Sequence, residues 1–152
     1  LGKTAPLRRI ADMWEATDSV SATIKALENV IAWDSKSFDA SLKLAELSAD
    51  SETRNRAFER AFSINPFDVA LLDARYRHLK SINDPASLEA IERLIHVDSA
   101  RRQSHRLSQA ELLVSRGDTV SAKTALLTLL EETPNDWLAQ RLLLKVAGEV
   151  GP

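Results

Sequence analysis

"FERAFSINPFD", residues 58 to 68, ends an apolar stretch with a proline and sets an aspartate two residues beyond it. Proline lacks an N–H and its ring clashes with the turn before it, so a helix stops ahead of Pro66. Asp68 is then placed to accept the free N–H groups that open the next helix. The same phrase returns as "LLTLLEETPND" (126–136), with Pro134 and Asp136 in the same relation. "LENVIAWDSKS" (27–37) and "IERLIHVDSAR" (91–101) keep the apolar spacing but carry Ser35 and Ser99 at the stop. There the hydroxyl is expected to cap the following helix. The four stops lie 31, 33 and 35 residues apart. Self-similarity at a period of about 33 residues marks a repeat of two helices per unit.

The stretches between the stops carry helical periodicity. Leu7, Ile10, Ala11 and Trp14 recur at steps of three and four, and so do Val20, Ile24, Leu27 and Ile31. A polar break, "ATDS" (16–19), separates them and offers Asp18 or Ser19 as an N-cap. The spacing predicts nine helices, over 4–16, 19–33, 37–48, 51–64, 68–80, 84–97, 99–116, 119–132 and 136–149. Asp84-Pro85 fits a cap followed by a proline at the first helical position. Short polar breaks between helices require antiparallel neighbours.

The fourth unit brings Ala110, Gly117-Asp118, Ala122 and Pro134 together at fixed spacing. On these residues the chain resembles the tetratricopeptide repeat family, whose unit has small residues where its helices approach, a Gly-Asp-type turn between them and a closing proline. The first unit offers Ala11, Asp18 and Thr23 at these places. The second offers Ala45, Ala61 and Pro66, with a turn about three residues short. The third puts Tyr76 where a small residue is expected. The resemblance implies an all-α, right-handed α-solenoid of antiparallel helix pairs. Its four repeats fall at about 4–35, 36–66, 67–99 and 100–134, in a single domain closed by a capping helix at 136–149. The run Leu142-Leu143-Leu144 is more apolar than a cap requires and is expected to meet a further repeat, a second domain or another copy of the chain.

"SRGDT" (115–119) contains Arg-Gly-Asp, a tripeptide that adhesion receptors grip. It also falls where two antiparallel helices must turn. Gly117 supplies the permissive backbone of a helix C-terminus and Asp118 or Thr119 caps the next helix, so the tripeptide is read as a turn.

Composition narrows the function classes. A net charge of −2, from 20 basic and 22 acidic residues, lacks the basic excess of a nucleic-acid binder. No apolar run approaches the ~20 residues of a membrane span, and the absence of cysteine excludes thiolate chemistry and disulfides. The opening "LGKTAPLRR" has no Met and no signal region, and the chain is read as a piece of a longer protein. His78, His96 and His105 form no metal-binding spacing, and neither a nucleophile elbow nor a phosphate loop occurs. No cofactor is implied, and an enzyme is not expected.

Two surfaces remain. Arg101, Arg102, His105 and Arg106 cluster at the start of one helix, against its dipole, where a phosphate or acidic peptide would offset the repulsion. Carrying the family's concave face onto this sequence gives Arg8, Asp12 and Glu15 in the first unit and Lys43 and Glu46 in the second. The third gives Asp73, Arg77 and Lys80, the fourth Glu111, and the last helix Arg141 and Lys145. The mixed signs fit a peptide or protein with interspersed charges, and the lysine–asparagine clamp of some relatives is not apparent. The chain is therefore expected to be a non-catalytic scaffold binding a peptide or partner protein. The alternatives are a helical accessory domain of a larger enzyme or of a secretion or assembly component, and a homo-oligomerisation module. Enlarging Ala61 or Ala110 is expected to overpack a helix contact, and Ser48 is expected at the surface.

Overall fold

The computed structural model describes residues 19–150, with side chains to residue 148. These residues form eight α-helices and one short 3₁₀ turn. The helices are α1 (Val20–Trp33), α2 (Phe38–Leu47), α3 (Ser51–Ile64), α4 (Val69–Ser81), α5 (Ser87–Val97), α6 (Arg102–Ser115), α7 (Thr119–Glu132) and α8 (Trp137–Val150). The turn, Ser99–Arg101, leads into α6. The helix expected over 4–16 lies outside the described residues. The other expected boundaries fall within a residue or two of those observed, apart from α5 and α6, each of which begins three residues late.

Two compact units divide between Ala74 and Arg75, inside α4. In the first, α2 packs between α1 and α3. In the second, α6 packs between α5 and α7, and α8 closes on α7. Connections of three to five residues make these neighbours antiparallel.

The reason for the packing lies in a register that the stops define. Eight residues before each stop stands a large apolar side chain: Leu27, Phe58, Ile91 and Leu126. Five before stands a second apolar one: Val30, Ala61, Leu94 and Leu129. All eight are buried, six of them with no exposure or nearly none. Twelve before the stop, Thr23, Ser87 and Ala122 are fully buried small residues, and a small side chain there lets the helix in front come close. Leu27, Val30, Leu44, Phe58 and Ala61 belong to the core of the first unit. Ala110, Leu113, Ala122, Leu126 and Leu129 belong to that of the second.

Turn chemistry sets where the helices bend. After α6 the Asp118 N–H donates back to the Leu113 carbonyl (3.0 Å) and the Gly117 N–H to that of Val114 (3.0 Å). Gly117 has φ +77°. This is the paired C-terminal bonding that a left-handed residue permits. Asp118 then turns forward, its Oδ1 accepting from the Ser121 N–H at 3.1 Å. The turn after α4 repeats the arrangement with asparagine in place of glycine. Asn83 has φ +53°, the Asp84 N–H reaches the Leu79 carbonyl (2.9 Å) and the Asn83 N–H that of Lys80 (3.1 Å). Asp84 Oδ1 accepts from the Ala86 N–H at 2.8 Å. Asparagine tolerates the left-handed region because its short polar side chain bonds locally.

The turn after α2 is different, and it is not short: 48–50 matches 116–118 in length, and the missing residues come out of α2, which has 10 against the 14 of α6. The turn has no left-handed residue. Ser48 is extended, with ψ 130°, and Asp50 Oδ2 accepts from both the Thr53 N–H (2.9 Å) and its hydroxyl (2.6 Å). Arg54 occupies the place filled by a small residue in the other units, and its guanidinium donates to the Ser48 carbonyl. Ser48 is itself buried, and its hydroxyl donates to the Asp50 carbonyl at 3.3 Å, which corrects its expected surface placement.

Between units of the repeat, Asp68 and Asp136 cap as the sequence predicts, accepting from the Leu71 (2.9 Å) and Ala139 (3.1 Å) N–H groups. The serine stops behave otherwise. Neither Ser35 nor Ser99 caps the helix after it; Asp34 Oδ1 accepts from the Lys36 N–H (3.1 Å) and Ser99 opens the 3₁₀ turn. Ser19 holds the N-cap position of α1 without a side-chain bond there, while the Thr23 hydroxyl donates to the Ser19 carbonyl (3.0 Å). Asp18 lies outside the described residues.

Candidate functional site

The cationic cluster at the head of α6 meets its counter-charges within the second unit. Asp98, buried at the end of α5, accepts from His105 Nε2 at 2.8 Å and from Arg101 Nε at 3.0 Å. Arg102 Nε donates to the Ile95 carbonyl at 2.9 Å. Arg106 Nη1 lies 2.7 Å from Glu132 Oε1 at the end of α7, where the Gln103 amide also donates. The His105 and Arg101 hydrogen bonds hold the Asp98 carboxyl below the usual aspartate range. Those from Arg106 and Gln103 do the same for Glu132. The repulsion between these cations and the α6 dipole is thus offset from inside the fold, by two carboxylates that the sequence reading did not join to the cluster. An i, i+7 aspartate ahead of His105 was the signal available for one of them.

The residues assigned to the binding face separate by helix. In the first unit, Lys43 is half-buried and Glu46 exposed on α2, and Asp73 is half-buried on α4. In the second, Arg77 and Lys80 on α4, Glu111 on α6, and Arg141 and Lys145 on α8 are exposed. Lys80 Nζ stands 6.0 Å from the ring centre of Tyr76, within cation–π range. Arg8, Asp12 and Glu15 fall outside the described residues. Of the three C-terminal leucines, Leu142 and Leu143 pack against the core of the second unit, and Leu144 alone is exposed.

Among the described residues, each unit carries a shallow cleft. That in the second unit, about 290 Å³, is rimmed by Glu92, His96, Arg106, Gln109 and Thr128. That in the first, about 320 Å³, is rimmed by Glu28, Thr53, Arg56 and Arg60 over Ile31 and Leu44. Among the described residues no group of three or more His, Asp and Glu side chains is arranged to hold a metal, and no helix is long and apolar enough to cross a membrane.

Arg-Gly-Asp is consumed by the fold. Arg116 Nη2 donates to the Asp84 carbonyl (2.9 Å) and to the Ser87 hydroxyl (2.6 Å), and Nη1 to the Pro85 carbonyl (3.2 Å). Gly117 provides the left-handed turn and Asp118 the cap.

Neither a family model nor any curated protein matches the sequence. Solved structures do match the fold. The crystal structure of MamA protein superposes with a TM-score of 0.77 over 99% of this chain and 85% of that one, at 17% identity. The crystal structure of PilW, a widely conserved type IV pilus biogenesis factor, gives 0.66 over 99% of this chain and 71% of that one, at 16% identity. A thermophilic TPR protein of Thermus thermophilus aligns with a TM-score of 0.49 over 93% of this chain and 79% of that one, at 17% identity.

The fold is tetratricopeptide-like. In this fold class the pair of antiparallel helices is the repeating unit. The tetratricopeptide-like reading explains why the four stops keep one register while the helices ahead of them vary in length.

Proposed function

We propose that this chain is a non-catalytic scaffold that holds a peptide or a partner protein along the first helices of its pairs. The observation that carries this reading is the tetratricopeptide-like fold, combined with exposed charges of both signs on those helices: Glu46 in the first unit, and Arg77, Lys80 and Glu111 in the second. Interspersed charges at a rim favour orientation and specificity over raw affinity. A partner of matching alternating charge is therefore the expected class.

The experiment immobilises the chain, identifies the proteins retained from its source extract, and measures the strongest against a variant carrying Lys43→Glu, Arg77→Glu and Lys80→Glu. The variant should retain its helical circular dichroism and bind at least tenfold more weakly. Equal binding by a folded triple variant would overturn the assignment.

A second reading, an accessory domain within a secretion or assembly machine, is supported by the fold likeness to a pilus biogenesis factor. It is distinguished by the retained partners being other parts of one large assembly that survive the triple variant.

A further inference from the structure

The two clefts fall at one register of the repeat. Seven residues before their stops, Glu28 and Glu92 stand on the rims, and four before, Ile31 and Ile95 line the floors. Six before theirs, the facing second helices contribute Arg60 and Thr128. Each cleft therefore has an acid on one wall and an isoleucine beside it. The cations set the two apart. In the second unit the guanidinium of Arg106 is held by Glu132. In the first, Arg60 is half-buried and Glu28 exposed, and neither is ion-paired with another described residue. Arg56, one turn from Arg60, pairs with Glu52 on its own helix, in an exposed contact that gives way at little cost.

The cleft of the first unit thus sets unlike charges on opposite walls, over a floor made by the buried side chains of Ile31 and Leu44. A half-buried guanidinium is already partly stripped of water, so a carboxylate that reaches it makes a strong, forked bond. Glu28 calls for a cation on the other side. Between the two, the floor calls for hydrocarbon.

We infer that this cleft binds a free aliphatic amino acid, its carboxylate on Arg60, its ammonium on Glu28 and its side chain over Ile31 and Leu44. The pairing of charges chooses the class. A free amino acid carries an anion, a cation and a side chain on one carbon. A segment within a peptide offers neutral amides to both walls, and a carboxyl-terminal residue offers the anion without the cation. The volume, about 320 Å³, accommodates a molecule the size of leucine. The walls are α1 and α3, second helices of their pairs, so the site is separate from the charges on α2, α4, α6 and α8 and this inference stands apart from the scaffold reading.

The test titrates the whole chain with leucine and follows its amide and methyl resonances by NMR. Saturable shifts are expected at Ile31, Leu44 and Thr53, and none at Ile95 or Thr128. Arg60→Gln and Glu28→Gln should each weaken binding about tenfold or more, and Glu92→Gln should leave it unchanged; circular dichroism confirms that the variants are folded. Leucine amide, which lacks the carboxylate, and N-acetyl-leucine, which lacks the ammonium, should each bind the parent about tenfold more weakly than leucine or worse, a comparison that depends on no variant. The absence of saturation up to about 10 mM leucine, or shifts of equal size in both clefts, overturns the inference. So does binding of N-acetyl-leucine within about twofold of leucine, because the occupant would then be the end of a peptide chain.

Discussion

The guanidinium of Arg116 grips the carbonyl of Asp84 at 2.9 Å, joining one interhelical turn to the equivalent turn a full repeat earlier. Asp84 and Asp118 are 34 residues apart, and Asp50, which caps α3, stands another 34 before them. A side chain that would protrude in an adhesive loop is instead held in the seam between successive turns of the second unit.

Removing that grip should loosen the seam. Arg116→Ala is expected to cost about 1–2 kcal/mol, since three hydrogen bonds to a charged donor are lost from a partly solvated site. Arg116→Lys should recover less than half, because an ammonium lacks the fork that reaches two carbonyls and a hydroxyl together. Urea unfolding followed by circular dichroism reads both.

The left-handed turn residue gives a graded series. A Cβ on Gly117 meets no atom within 4 Å, so any cost is conformational and not steric. Gly117→Ala should destabilise by about 1–2 kcal/mol. Gly117→Asn should cost less than half of that, because Asn83 already performs the same role in the turn before. Equal costs for the two variants in thermal melts would contradict the turn geometry.

Close helix contacts should resist enlargement. Ala61 is fully buried and Ala110 1% exposed, so Ala61→Leu and Ala110→Leu are each expected to cost about 1–3 kcal/mol by overpacking. Leu126→Ala, in the same register, should cost about 2–5 kcal/mol through the cavity it leaves. Chemical denaturation midpoints measure all three.

Stability should fall in acid through identifiable carboxylates. Asp50, Asp98, Asp118 and Glu132 all have their pKa lowered in the fold. A depressed folded value means that the stabilisation is present above the unfolded value, near 4, and is lost as pH falls through the folded one. The stability difference between the parent and Asp98→Asn should therefore be largest near neutral pH and shrink between about pH 5 and pH 2. A difference independent of pH in urea titrations would rule out the Asp98 contribution.

Helix placement was legible because proline stops and apolar spacing act locally. Pro66 and Pro134 end helices by backbone chemistry alone, and α3 and α7 fall on their expected spans. The serine stops were harder: Asp34 and Asp98, one residue earlier, take on the polar work expected of Ser35 and Ser99. The partners of the cationic cluster were hidden for a related reason. Its counter-ions, Asp98 and Glu132, lie outside α6, and sequence periodicity along that helix carries no information about what packs against it. Leu144 stood in an apolar run with Leu142 and Leu143, yet only the structure separates the two that face inward from the one that does not.

The constant register from the small residue to the stop has an evolutionary corollary. Stop-to-stop distances vary from 31 to 35 residues while the buried places eight and five before each stop recur in all four units, so the difference in length falls in the leading helix and its turn. The trailing half behaves as a ruler and the leading half as an adjustable jaw. A lineage can therefore lengthen, shorten or recharge what meets the outside world without having to reinvent how the units lock together.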